Sequence, residues 1–98
     1  MNGVPLQRTV IINNLQGLHM RPISAFVEMA GKFKSSVFVT KKGNGERING
    51  KSPLSLLGLA AEKGTELILE VSGPDEQEAL DALAQFLSTL NTEDLPGA

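Results

Sequence analysis

Strand-like and helix-like stretches succeed one another along this chain so that no two helix-like stretches are neighbours in sequence. Thr9-Val10-Ile11-Ile12 is β-branched throughout, and residues 8–13 read as a first strand. Ile23, Phe26, Val27 and Ala30 then recur at helical spacing and predict a helix ending near Gly31 or Lys32. Residues 36–40 (SVFVT) and 46–49 (ERIN) predict a second strand and a short third one, with Gly43-Asn44-Gly45 turning the chain between them. Ser52 followed by Pro53 marks the start of a second helix, a short apolar run that Gly64 stops. Residues 65–72 alternate, with Leu67, Leu69 and Val71 on one face, and predict a fourth strand. Gly73-Pro74-Asp75-Glu76 opens a third helix, its acidic residues at the positive end and its apolar stripe formed by Ala79, Leu80, Leu83, Phe86, Leu87 and Leu90. A helix set between strands has the sheet to bury its stripe against. The order βαββαβα therefore predicts an α+β fold, a two-layer sandwich with a four-stranded, mainly antiparallel sheet and three helices on one face. A single domain is expected over residues 1–98, with its core at about 8–90 and a flexible tail at 91–98.

Composition narrows the chemistry open to such a domain. No cysteine and one histidine among 98 residues remove disulfides, thiolate nucleophiles and zinc–thiolate sites, and no metal or cofactor is expected. Four Phe without Trp or Tyr offer little for bases to stack on, and a net charge of -2 opposes a phosphate backbone, so nucleic acid is not an expected partner. No run approaches the roughly 20 apolar residues that cross a bilayer, and membrane insertion is not expected. Residues 1–7 carry neither the basic nor the apolar stretch of an export signal, which makes the cytoplasm the expected location.

The lone histidine, His19, falls between the first strand and the first helix, within Gln16-Gly17-Leu18-His19-Met20-Arg21-Pro22. Gly17 permits a tight turn. Pro22 lies in the first helical turn, where a missing N–H does no harm. The imidazole is thus expected over a helix start, where amides lack partners and the dipole favours an anion. An imidazole in water at pH 7 is mostly neutral and nucleophilic, so it can take up a phosphoryl group. The new charge would meet the backbone N–H groups of Met20 and Arg21 and the Arg21 guanidinium. Phosphoryl transfer asks a protein for positioning and charge stabilisation above all. A histidine at a helix start can equally be an N-cap or an exposed loop residue, and spacing alone leaves both readings open.

Gly17-Leu18-His19-Met20-Arg21-Pro22 resembles the G-[LI]-H-x-R-P signature of HPr, the histidine-containing phosphocarrier family of the bacterial phosphotransferase system. Asn49-Gly50-Lys51-Ser52, leading into Leu54, Leu57 and Gly58, is similar to the segment around that family's regulatory serine. The resemblance runs over about residues 8–90 and implies an HPr-like open-faced β-sandwich, a covalently phosphorylated carrier rather than an enzyme that turns over. It implies that His19 accepts the phosphoryl group on Nδ1 from enzyme I, with phosphoenolpyruvate as ultimate donor and Arg21 assisting. The group would then pass to a sugar-specific enzyme IIA domain. Ser52 would be the target of an ATP-dependent HPr kinase/phosphorylase as well as the N-cap that Pro53 makes of it, since phosphate is favourable at a helix N-terminus. Met20, Pro53, Leu54 and Leu57 would form a partner-docking patch beside the histidine, although the short apolar stripe also predicts that Leu54 or Leu57 enters the core. A monomer is expected, because a carrier offers one face to several partners in turn.

Three departures accompany the resemblance. Pro53 stands where the family usually has an apolar residue, Glu28 where many members carry a base (Lys32 remains nearby), and the hairpin at Gly43-Asn44-Gly45 is slightly longer than usual. They open an alternative, an HPr-like regulatory adapter read by partner proteins according to its phosphorylation state, with little sugar transport. The retained His19 opposes the catabolite-regulating homologue in which that residue is lost. A third class, small acyl-phosphate hydrolases with an arginine in an early glycine-rich loop and an asparagine, would use Arg21. The adjacent histidine and the following Pro22 fit carrier chemistry better.

Overall fold

A computed structural model of the chain describes residues 4–43 and 45–90; the expected tail at 91–98 and Asn44 of the expected turn lie outside the described residues. The elements follow the predicted order: β1 (Leu6–Ile11), α1 (Met20–Gly31), β2 (Ser36–Lys41), β3 (Arg47–Asn49), α2 (Pro53–Gly58), β4 (Glu66–Ser72) and α3 (Glu76–Ser88). The strands form one sheet in the order β1-β4-β2-β3, antiparallel at every pairing. β4 comes last among the strands in sequence yet lies inside the sheet. That position explains its clean alternation: Leu67, Leu69 and Val71 are fully buried while Glu66, Ile68 and Glu70, each just before one of them, are half-buried.

Val37 and Val39 of β2 and Val10 of β1 extend this inner stripe. The helices cover it, α1 through Ile23, Phe26 and Ala30, and α3 through Ala79, Leu80, Leu83, Ala84 and Leu87. Phe26 meets the half-buried Phe86 across the two helices with ring centroids 6.4 Å apart. Magnitudes show what holds the layers together. Each buried Leu or Val contributes about 1.5–3 kcal/mol. Arg8 and Asp81 pair at 2.8 Å between β1 and α3, but both side chains are about half exposed, and such pairs contribute about 0–1 kcal/mol. The apolar stripe therefore outweighs the surface pairing.

Two predicted boundaries are corrected. β1 runs Leu6–Ile11 rather than 8–13, because β4 pairs Val71 with Leu6 and Glu70 with Gln7. A partner strand recruits residues whose own strand propensity is weak. The second helix stops at Gly58, ahead of Gly64: Leu59 caps it, and Ala60 then turns into the left-handed region at φ 51°.

Asp75 also behaves differently from a simple helix-dipole partner. It stands at the N-cap of α3 but makes no side-chain cap to that helix. Its carboxylate instead accepts hydrogen bonds from the Lys34 N–H (2.9 Å), the Ser35 N–H (3.0 Å) and the Ser35 hydroxyl (2.6 Å), tying the start of α3 to the start of β2. The Ser35 hydroxyl first, and then the Lys34 amide, hold the Asp75 carboxyl below its ordinary value of 3.8. A group whose folded value is depressed stabilises the fold above its unfolded value and loses that contribution as pH falls through the folded one. Acidification below about pH 4 should therefore destabilise the wild-type protein partly through Asp75. Ser35→Ala removes the largest contributor, so the drop in urea midpoint between neutral pH and about pH 3 should be smaller in the variant. Equal acid sensitivity in the two proteins would show that Ser35 does not govern Asp75.

Candidate functional site

Two local main-chain bonds, one side-chain bond and one bond to a distant segment build the turn that leads into α1. The Gly17 N–H donates to the Asn14 carbonyl (3.1 Å), and the His19 N–H donates to the Gly17 carbonyl (3.1 Å). The buried Asn14 side chain closes the loop by donating its Nδ2 to that same Gly17 carbonyl at 2.6 Å. Gly17 adopts φ 70°, and Leu18 turns into the core with its N–H bonded to the Ala61 carbonyl at 2.8 Å. A Cβ on Gly17 would lie 2.5 Å from the Ala61 oxygen and 2.9 Å from the Glu62 Cα. The segment that follows α2 is thus the floor beneath the residues that present His19.

His19 is the N-cap of α1, with extended backbone (φ −102°, ψ −176°) and its carbonyl accepting the Ile23 N–H at 3.0 Å. The imidazole makes no capping bond to the helix, and the residue is half-buried. Met20 and Arg21 occupy the first two helical positions and are exposed, while Pro22, the third, is buried. The opening amides of a helix have no carbonyl within it to bond. With proline third, Met20 and Arg21 supply the N–H groups that precede the first helical hydrogen bond. The arrangement places an imidazole, an arginine and the positive end of a helix at one point of the surface, where an anion attached to the ring is electrostatically favoured. Among the described residues no group of three His, Cys, Asp or Glu could hold a metal ion.

Ser52 caps α2 by accepting the Ser55 N–H on its hydroxyl oxygen at 3.3 Å, with Pro53 at the first helical position. Lys51 beside it donates from Nζ to the Phe33 carbonyl (2.9 Å), tying the entry of α2 to the segment after α1. Met20, Pro53, Leu54 and Leu57 are all exposed, Leu54 by 81%. The expectation that Leu54 or Leu57 would enter the core is corrected, since Leu56 and Leu59 are the buried residues. Each pair is spaced by three, so a helical repeat fits either stripe, and only the seat of α2 against α1 and β3 chooses between them. Glu28 and Lys32 are both exposed along α1 and after it.

The sequence reading passed over Asn14 and Ala61, both of which shape this turn. Asn14 gives no specific signal in the sequence, because its amide donates to a carbonyl three residues on rather than closing a turn two residues on. Ala61 carries none, because it lies far along the chain and contributes only a carbonyl.

Residues 6–89 match the family model described as the PTS HPr component phosphorylation site. The chain is 46% identical to the phosphocarrier protein HPr of Neisseria meningitidis, an alignment covering 85% of this chain and 91% of that one. It is 42% identical to the HPr-like protein Crh of Bacillus subtilis, over 84% of this chain and 94% of that one. The crystal structure of HPr-C-His from Thermoanaerobacter tengcongensis matches with a TM-score of 0.83 at 34% identity, over 92% of this chain and 99% of that one. Together with the antiparallel open sheet under three helices, these likenesses define the class, phosphocarriers of the phosphotransferase system. The chain belongs to the HPr family. Among the described residues no helix is long and apolar enough to cross a membrane.

Proposed function

We propose that His19 is the phosphoryl acceptor of this chain, charged in the cytoplasm by phosphorylated enzyme I with phosphoenolpyruvate as ultimate donor. The group then passes to an enzyme IIA domain in sugar uptake. The ring lone pair on Nδ1 attacks phosphorus while the bond from phosphorus to the donor breaks. The ring proton stays on Nε2, so the added negative charge resides on the phosphoryl oxygens. Those oxygens meet the Met20 and Arg21 N–H groups and the Arg21 guanidinium. Transfer onward is the same displacement with the acceptor as nucleophile.

The observation that carries this reading is that His19 occupies the N-cap while its side chain takes no part in capping. The helix start is held by main-chain bonds, and the imidazole stands at the place where an anion is favoured. Incubation with enzyme I and labelled phosphoenolpyruvate should yield one acid-labile phosphate per chain. The likeness to Crh favours a second reading, the regulatory adapter, and a pure adapter would take up no such label.

Met20, Pro53, Leu54 and Leu57 form the docking patch in this proposal, an exposed apolar cluster offered by the starts of α1 and α2. The carrier works as a monomer, which sedimentation at working concentration would test. Ser52 is the regulatory position, a substrate of HPr kinase/phosphorylase. Its phosphate would keep an acceptor at the helix start while adding about −1.5 to −2 charge beside Pro53 and Leu54. Ser52→Asp should then weaken binding to enzyme I by about tenfold, roughly 1.4 kcal/mol. Identical affinities for variant and wild type in a calorimetric titration would leave Ser52 its capping role alone.

A further inference from the structure

We propose that Lys41 is a positioning residue for His19, acting through the turn that ends α2. The inference deepens the phosphocarrier reading and rests on it only where phosphoryl transfer is measured. Lys41 is the last residue of β2. Its backbone is fixed on both sides, paired with Leu67 of β4 and donating its N–H to the Glu46 carbonyl at 3.2 Å. From that post its ammonium crosses to the end of α2, donating to the Leu59 carbonyl at 3.0 Å and reaching the Ala60 carbonyl at 3.5 Å. These are carbonyls at the negative end of a helix, where a cation is favoured.

The turn so gripped is one that needs holding. Ala60 is, among the described residues, the non-glycine residue with positive φ, at 51°. An L-residue stays in that region only when its surroundings over-determine it. The ammonium bridges the carbonyl before Ala60 and the carbonyl of Ala60 itself. The next residue, Ala61, accepts the Leu18 N–H at 2.8 Å, and its oxygen lies 2.5 Å from where a Gly17 Cβ would stand. The hydrogen bond from Leu18 couples the two segments directly. A displacement of the 59–61 turn is passed to Gly17 and Leu18, and hence to the backbone of His19 one residue on. Lys42, the next residue, makes no such crossing; it is exposed and pairs with Glu66 at 3.2 Å.

Lys41→Met keeps the length of the side chain and removes the donor, Lys41→Arg restores a donor, and Lys42→Met removes the same charge without touching the turn. In Lys41→Met the Leu18 amide should exchange its hydrogen about tenfold faster, beyond any change at the Leu69 amide in the middle of the sheet. The kcat for phosphoryl acceptance should fall by roughly threefold or more with KM for enzyme I unchanged, because the acceptor is displaced while the docking surface is not. Lys41→Arg should recover both readouts, and Lys42→Met should alter neither. Unchanged Leu18 exchange in Lys41→Met, or equal acceleration at Leu18 and Leu69, would overturn the proposal, the second by reducing Lys41 to general stability. Selective loosening at Leu18 in a protein that takes up no phosphate in any form would sustain the positioning of the turn and overturn the carrier reading instead.

Discussion

Replacing His19 with alanine should abolish phosphoenolpyruvate-dependent labelling and leave the fold standing. Both main-chain bonds of the residue, its N–H to Gly17 and its carbonyl to the Ile23 N–H, survive the change. The lost side chain contributed no cap, so the stability cost should be of the order of a half-exposed surface substitution, about 0.5 kcal/mol. Alanine has no atom that can hold a phosphoryl group, so labelling should drop to background rather than merely slow. Label retained at wild-type level on His19→Ala would place the acceptor elsewhere and end the proposal. In the same assay Arg21→Ala should slow transfer about 10- to 100-fold. That is less than the roughly 100- to 1,000-fold lost with a donor in a water-excluded site, because Arg21 is exposed and its charge is screened. Unchanged rates would remove Arg21 from the mechanism.

Gly17→Ala should be the most damaging of the single-methyl changes near the site. The residue sits at φ 70°, which costs an L-residue roughly 1–2 kcal/mol. The new Cβ would also fall 2.5 Å from the Ala61 oxygen and 2.9 Å from the Glu62 Cα, both backbone atoms that cannot swing aside. Overpacking of this kind adds about 1–3 kcal/mol, for a total of about 2–5 kcal/mol, or roughly 10 °C or more in Tm for a domain of this size. Gly45 supplies the comparison, with a nearly equal φ of 73° and nothing within 4 Å of its would-be Cβ. Gly45→Ala should show only the backbone penalty. The collision account requires Gly17→Ala to be clearly the worse of the two, and equal Tm losses would refute it. The surviving folded fraction of Gly17→Ala should also take up phosphate more slowly, since relief of the clash requires moving the segment that carries Leu18 and His19.

Local signals in the sequence were enough for the order of the elements, for the inner face of β4, for Ser52 as the cap of α2 and for His19 at a strand-to-helix junction. Each is written within a few residues, as a period of two or three to four, a capping side chain followed by proline, or a glycine before a turn. Tertiary structure alone decided the register of β1, which follows from what β4 offers it. It decided that Leu56 and Leu59 enter the core while Leu54 and Leu57 remain outside. It sent the Asp75 carboxylate to Ser35 rather than to its own helix, and it laid Ala61 under Gly17 and Leu18 with Lys41 gripping the turn just before it. These four are contacts between residues distant in sequence, set by which surfaces meet when the layers close. No residue's immediate neighbours encode them, which is why the place of the imidazole could be read from the chain but the support beneath it could not.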